Sequence, residues 1–181
     1  ALQGGSAHAA YTWSVLDRLL EESCLSFDGI SGTSAGAMNA VVMAHGLNEG
    51  GPQGAKLALE TFWKRVADAA LLSLDFSPAF VAADFAARLY SPYSIPGGGA
   101  NPLHKILEET VDFAGLAKAG PRLFVTATNV HTGRLRVFPR DKITADVIMA
   151  AACLPLLFRA VEIDAEDEAA VARHRRSRAT P

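Results

Sequence analysis

Residues 25–44, LSFDGISGTSAGAMNAVVMA, decide the fold. Residues 25–31 (LSFDGIS) form a short apolar run, long enough for a buried strand. Residues 35–44 (AGAMNAVVMA) read as an apolar helix that stops near His45 and Gly46. Between them the chain turns within five small residues, Gly32, Thr33, Ser34, Ala35 and Gly36. Strand, tight turn and helix in that order are one unit of an α/β fold. The pentapeptide fits G-x-S-x-G, the turn that presents a nucleophilic serine at the carboxyl end of a strand. A side chain at Gly32 or Gly36 would meet the neighbouring backbone, so glycine is required on both sides of the serine. The helix starting at Ala35 aims the positive end of its dipole at the same place.

Upstream, residues 1–8 (ALQGGSAH) read as a strand end followed by a loop. The strand part is shorter than the usual ~5–6 residues, and the reading expects the domain to be clipped there. Gly4 and Gly5 place backbone N–H groups where they can converge on an anion, which acyl transfer requires for its oxyanion. Taken as a dinucleotide G-x-G-x-x-G the match is poor, because Ser6 and Ala9 fill the other glycine positions. Residues 9–22 carry Ala9, Trp13, Leu16 and Leu20 at helical spacing.

Downstream, residues 48–54 (NEGGPQG) read as a loop, and residues 55–70 as a helix with Leu59, Phe62 and Val66 on one face. Residues 71–90 are rich in Leu, Phe and Ala, suited to core helices, to lining an acyl channel or to facing a membrane. Residues 91–101 (SPYSIPGGGAN) read as a loop. Pro102 opens a helix to about Val111. Residues 123–128 (LFVTAT) read as a buried strand, His131–Gly133 as a turn and residues 134–138 as a returning strand. Residues 144–153 read as a helix ended by Leu154–Pro155. The fold class expected is α/β, a three-layer α/β/α sandwich with a mostly parallel sheet, clipped at both ends. The domain spans 1–164. Residues 165–181 (AEDEAAVARHRRSRATP), with an acidic and a basic block, read as a charged, solvated tail.

Composition narrows the function classes. The 181 residues are half hydrophobic and one fifth charged, with net charge −2. That balance excludes an intrinsically disordered chain, and it offers no global basic field for nucleic acid. No apolar run reaches the ~18 residues of a membrane span. Two cysteines, Cys24 and Cys153, cannot build a disulfide framework or a thiolate metal site. They read as small buried residues suited to a reducing, cytoplasmic compartment.

The segments LQGGSAHAAYTWSVLDRLLEE and FDGISGTSAGAMNAVV, with NPLHKILEETVDF, LFVTATNVHTGRLRVF and ITADVIMAAACLPLLFRAVEID, resemble the patatin-like phospholipases, especially the bacterial ones. The resemblance covers nearly all of residues 1–164. It implies a lipid acyl hydrolase with a Ser–Asp dyad, no catalytic histidine, no cofactor and no metal. Its partners would be a lipid or acyl-ester substrate and a peripheral membrane surface. The nucleophile carries over to Ser34, and the oxyanion loop to Gly4, Gly5 and Ser6. The family usually has glycine at positions 6 and 9. The family's aspartate lies in an Asp-Gly-Gly or Asp-Gly-Ala motif soon after the segment matching residues 161–164. This chain has no such motif there, so the dyad aspartate is not assigned, and Asp164 does not take the role.

Other arrangements are weighed against this one. A Ser–His–Asp triad would take an acid such as Asp141, Asp146 or Asp164 and then His174, which lies in the tail. His45, His104 and His131 read as structural, while His8 in the glycine loop is the histidine placed to touch the site. Asn129 reads as a turn former. The basic run from Arg173 to Arg178 reads as a solvated tail rather than a surface for acidic lipid. The rival functions are a Ser–His acyltransferase or esterase, a lipid-binding or regulatory homologue without catalysis, and a nucleotide-binding domain. The last lacks a Gly-Lys-Ser/Thr phosphate loop.

Overall fold

The computed structural model describes residues 1–5, 8–73, 102–153 and 159–163. Several sequence expectations fall outside the described residues: Ser6, the apolar segment from residue 74 to 90, the loop at 91–101, the helix stop at Leu154–Pro155, Asp164 and the tail at 165–181. The elements are α1 (Ala9–Leu19), β1 (Gly29–Gly32), α2 (Ala35–Ser73), α3 (Pro102–Thr110), α4 (Phe113–Lys118), β2 (Arg122–Thr128), β3 (Leu135–Pro139) and α5 (Ala145–Ala152). A turn of 3-10 helix at Arg140–Lys142 joins β3 to the approach of α5.

The chain forms an α/β structure around a small mixed sheet in the order β1-β2-β3. β1 runs parallel to β2, with Ile30 opposite Leu123 and Gly32 opposite Val125. β2 and β3 are antiparallel, with Val125 opposite Phe138. Leu2 adds a further parallel bridge to Gly32, so the opening strand end lies beside β1. Expected as mostly parallel, the sheet is mixed because the connection from β2 to β3 is too short for a crossover. The Asn129 side chain accepts from the amides of His131 and Thr132, and Gly133 takes φ +65° to close the turn. Asn129 is thus a turn former, as its position in the sequence suggests.

The sheet's inner face carries Ile30, Leu123, Val125 and Phe138, all buried. α2 packs on it through Met38, Val41 and Val42, and Ile148 and Val147 of α5 join the same core. α3 adds Ile106 and Leu107, and α1 adds Leu16. Each fully buried Leu or Phe contributes about 1.5–3 kcal/mol. The exposed ion pairs, such as Lys64–Glu60 and Arg18–Glu22, are screened by solvent and add little. Apolar burial therefore fixes the arrangement. On the outer face Phe124, Val137 and Leu135 are 40%, 47% and 68% exposed. Among the described residues the helices cover one face only.

α2 departs from expectation. Instead of a helix ending near His45 and a loop at 48–54, helical backbone continues past Gly46 and breaks only at Gly50 and Gly51. Gly51 takes φ +60°, and Pro52 then opens the second arm, where its missing N–H costs nothing. α4 is an element that the periodicity does not predict. Its signal is Asp112, whose carboxylate accepts from the amides of Ala114 and Gly115 at 3.1 and 3.0 Å. Cys24, expected to be buried, is exposed in the turn after α1. Cys153 is half-buried, and burial pushes its thiol pKa up.

Both the α4 cap and the contrast between the thiols can be measured. Asp112→Ala removes the cap and lowers unfolding stability by about 1 kcal/mol, read by chemical denaturation. Iodoacetamide near neutral pH alkylates Cys24 well before Cys153. The Cys153 rate climbs as the pH rises toward its elevated pKa, as followed by peptide mass spectrometry.

Candidate active site

The turn between β1 and α2 places Ser34 half-buried at the carboxyl end of β1. Ser34 has φ +55°, and among the described residues no other non-glycine residue has a positive φ. An L-residue in this left-handed region is strained by ~1–2 kcal/mol. The strain is held in place by the surrounding backbone. The Ser34 carbonyl accepts from the amides of Ala37 (2.9 Å) and Met38 (3.3 Å), which starts the helix immediately. The Gly36 amide donates to the Thr33 carbonyl at 3.0 Å, and the Thr33 hydroxyl reaches the Thr126 carbonyl on β2 at 3.4 Å. A Cβ at Gly32 would stand 2.6 Å from the Gly36 carbonyl and 2.7 Å from the Ala37 backbone. One at Gly36 would collide with the carbonyls of Leu2 and Gln3. Gly32, Thr33, Ala35 and Gly36 thus lie with Ser34 in a tight turn between β1 and α2.

The opening loop runs directly against the serine. The Leu2 amide donates to the Ser31 carbonyl at 2.7 Å, and the Thr33 amide returns a bond to Leu2 at 3.3 Å. This pairing carries the loop across the turn. A Cβ at Gly4 would stand 2.7 Å from the Ser34 Cβ and 3.4 Å from its Oγ. Among the described residues, neither the Gly4 nor the Gly5 amide donates to a protein acceptor. Among the described residues, two N–H groups without a protein acceptor therefore lie in the loop that passes the Ser34 side chain at Gly4. Ser6, the third residue expected there, lies outside the described residues. Ala9 begins α1 with no positive φ, so its methyl introduces no backbone strain.

No described side chain hydrogen-bonds the Ser34 hydroxyl. His8 is exposed, and its Nδ1 lies 3.2 Å from the Gly5 carbonyl, so it belongs to the loop rather than to the serine. His104 lies between Asp146 (Nε2 to Oδ1, 3.0 Å) and Glu108 (Nδ1 to Oε2, 3.4 Å), joining α3 to α5. Asp146 is therefore engaged away from the elbow. Asp141 is exposed in the 3-10 turn, and His131 in the hairpin turn. Among the described residues, no three metal-ligating side chains gather, and no helix is long and apolar enough to cross a membrane. A groove of about 480 Å³, lined by Trp13, Asp17, Lys56 and Glu60 among others, lies between α1 and the second arm of α2 and includes no elbow residue.

The family model for patatin-like phospholipases matches residues 1–172. The chain belongs to the patatin-like phospholipase family. No curated protein and no solved structure gives a match. Membership in the patatin-like family suggests a lipid acyl hydrolase.

The sequence pattern does not reveal one contributor near the elbow of this patatin-like chain. Asn39 is fully buried, and its side chain bridges the Ala9 carbonyl (3.1 Å) and the Trp63 indole N–H (2.8 Å). Its one signal is a lone amide inside the apolar run AMNAVVM.

The positive φ of Ser34 can be tested without substrate. Ser34→Gly relieves the strain but adds chain entropy to the unfolded state, leaving it about 0.5–1 kcal/mol more stable than Ser34→Ala. Thermal melting of the two variants reads the difference, and Ala melting above Gly would contradict the left-handed geometry.

Proposed function

We propose that the chain is a serine lipid acyl hydrolase in which Ser34 is the nucleophile. The observation that carries the reading is the juxtaposition of a strained, half-buried serine with the glycine loop at 4–5. The Ser34 Oγ attacks the ester carbonyl, its proton passes to a base, and the alcohol leaves with a proton as an acyl-enzyme forms. Water then attacks the acyl-enzyme and releases the fatty acid. The amides of Gly4, Gly5 and Ser6 donate to the oxyanion at each step. The start of α2 adds a favourable dipole. The base is the aspartate that the family resemblance implies, which is not assigned in this chain. The substrate is a phospholipid or related acyl ester, met at a membrane surface, and the fold is a three-layer α/β/α sandwich.

A second reading is favoured by one specific observation: Ser34 meets no base among the described residues. A serine without a base is a weak nucleophile. On that reading the chain binds lipid without cleaving it.

A fluorophosphonate probe separates the two. On the first reading the wild-type protein is labelled and Ser34→Ala is not. Equal labelling of both proteins overturns the Ser34 assignment. Absence of labelling in both, together with binding to phosphatidylcholine vesicles without fatty-acid release, establishes the second reading.

A further inference from the structure

We propose that Asn39 is a positioning residue that sets the separation between the Ser34 elbow and the glycine loop. This rests on the reading of Ser34 as the nucleophile. Among the described residues Asn39 is the only polar side chain that is fully buried. It lies on α2 five residues after Ser34, amid Ala37, Met38, Ala40 and Val41. An aliphatic side chain would fill that volume without desolvating an amide, and a buried amide is unfavourable unless its bonds are made. Here they are made, and to informative partners.

The Asn39 Nδ2 donates to the Ala9 carbonyl at 3.1 Å. The Trp63 indole donates to its Oδ1 at 2.8 Å. An indole N–H only donates and a carbonyl only accepts, so the two partners allow one orientation of the amide. Trp63 is held in turn by an edge-to-face contact with Phe62 at 5.5 Å, and Phe62 is fully buried. Ala9 is the first residue of α1, next to His8, whose amide donates to the Gly5 carbonyl at 3.0 Å. A continuous series of bonds thus runs from the second arm of α2, through the helix that begins at the elbow, to the loop facing Ser34.

Apolar packing between α1 and α2 supplies attraction but little direction. A hydrogen bond fixes length and angle. Oxyanion donors act only when they are aimed at where charge develops. Asn39 supplies that aim for the loop, and it touches no reacting atom.

The test compares wild type, Asn39→Leu and Trp63→Phe by fluorophosphonate labelling kinetics and by amide hydrogen exchange of residues 1–12. Asn39→Leu keeps the volume and loses both bonds. Its maximal labelling rate falls about 10–100-fold, as sub-ångström to ångström misplacement produces. The probe concentration for half-maximal rate stays within about twofold, because only transition-state stabilisation is lost. Exchange in residues 1–12 accelerates, while exchange in α3 does not. Trp63→Phe keeps Asn39 but frees its orientation, so it shifts both readouts the same way by less. It also serves as the decisive variant if Asn39→Leu does not fold. Unchanged labelling and unchanged exchange in a folded variant overturn the proposal. If no protein is labelled at Ser34, the nucleophile reading fails. Exchange in residues 1–12 then decides the positioning claim alone, and an unchanged rate overturns it.

Discussion

Three stretches of backbone meet at the turn before α2, and none leaves room for a side chain. β1 ends at Gly32, α2 begins through Gly36, and the opening loop crosses at Gly4. With those positions open, the loop can lie against the Ser34 side chain, and the serine is forced to φ +55°. The local strain of ~1–2 kcal/mol is small beside the burial of the helix that leaves the turn. Ala37, Met38, Ala40, Val41, Val42, Met43 and Ala44 are all at most 4% exposed. Burial of that run against the sheet and α1 offsets the strain several times over. The turn cannot relax without pulling the start of α2 off its sheet.

Electrostatics plays a lesser part. Lys56 bridges to Glu21 and Asp17 across the groove between α1 and the second arm of α2. The hydrogen bond from Lys56 holds the Glu21 carboxyl below its ordinary range, and the same bond raises the Lys56 ammonium. The Glu21 contribution is present above the unfolded carboxylate pKa and is lost as pH falls through the depressed value. The Lys56 contribution is lost as pH rises through the elevated one. Lys56 is half-buried and Glu21 is exposed to solvent, which screens the pair, so it adds little to the docking of α1.

How far the sequence can be read depends on how local each signal is. The elbow is legible because its chemistry is contained in five consecutive residues, Gly32 to Gly36. β2 is legible from its β-branched and aromatic run, and the hairpin from Asn129 and Gly133. The break in α2 is hard to place because Gly46 and Gly50 look alike in sequence. Gly46 is buried inside continuous helix, while Gly50 sits at the break before Pro52. α4 is a single capped turn and a half, too short for periodicity to register. Cys24 differs from expectation because residue type alone does not determine burial. Asn39 is invisible to local patterns because its partners lie 30 residues before it and 24 after.

The same distinction bears on catalysis. Ser34 and the Gly4–Gly5 loop come from the first 36 residues, linked by short backbone bonds, so the fold itself brings them together. Several described carboxylates are engaged elsewhere: Asp28 with Arg122, Asp112 with the α4 amides, Asp146 with His104, Glu109 with Arg65. On the hydrolase reading, the base for Ser34 is not assigned in this chain, and the elbow does not dictate its position. Serine hydrolases deprived of one member of their catalytic set retain about 10³–10⁴-fold acceleration over water. That residual comes from oxyanion donors and binding alone. On the hydrolase reading, the glycine loop beside Ser34 supplies the donors that such a residual requires. On that reading, capture of an activated phosphonate and hydrolytic turnover are separate properties, the first resting on Ser34 and its donors and the second on the base as well.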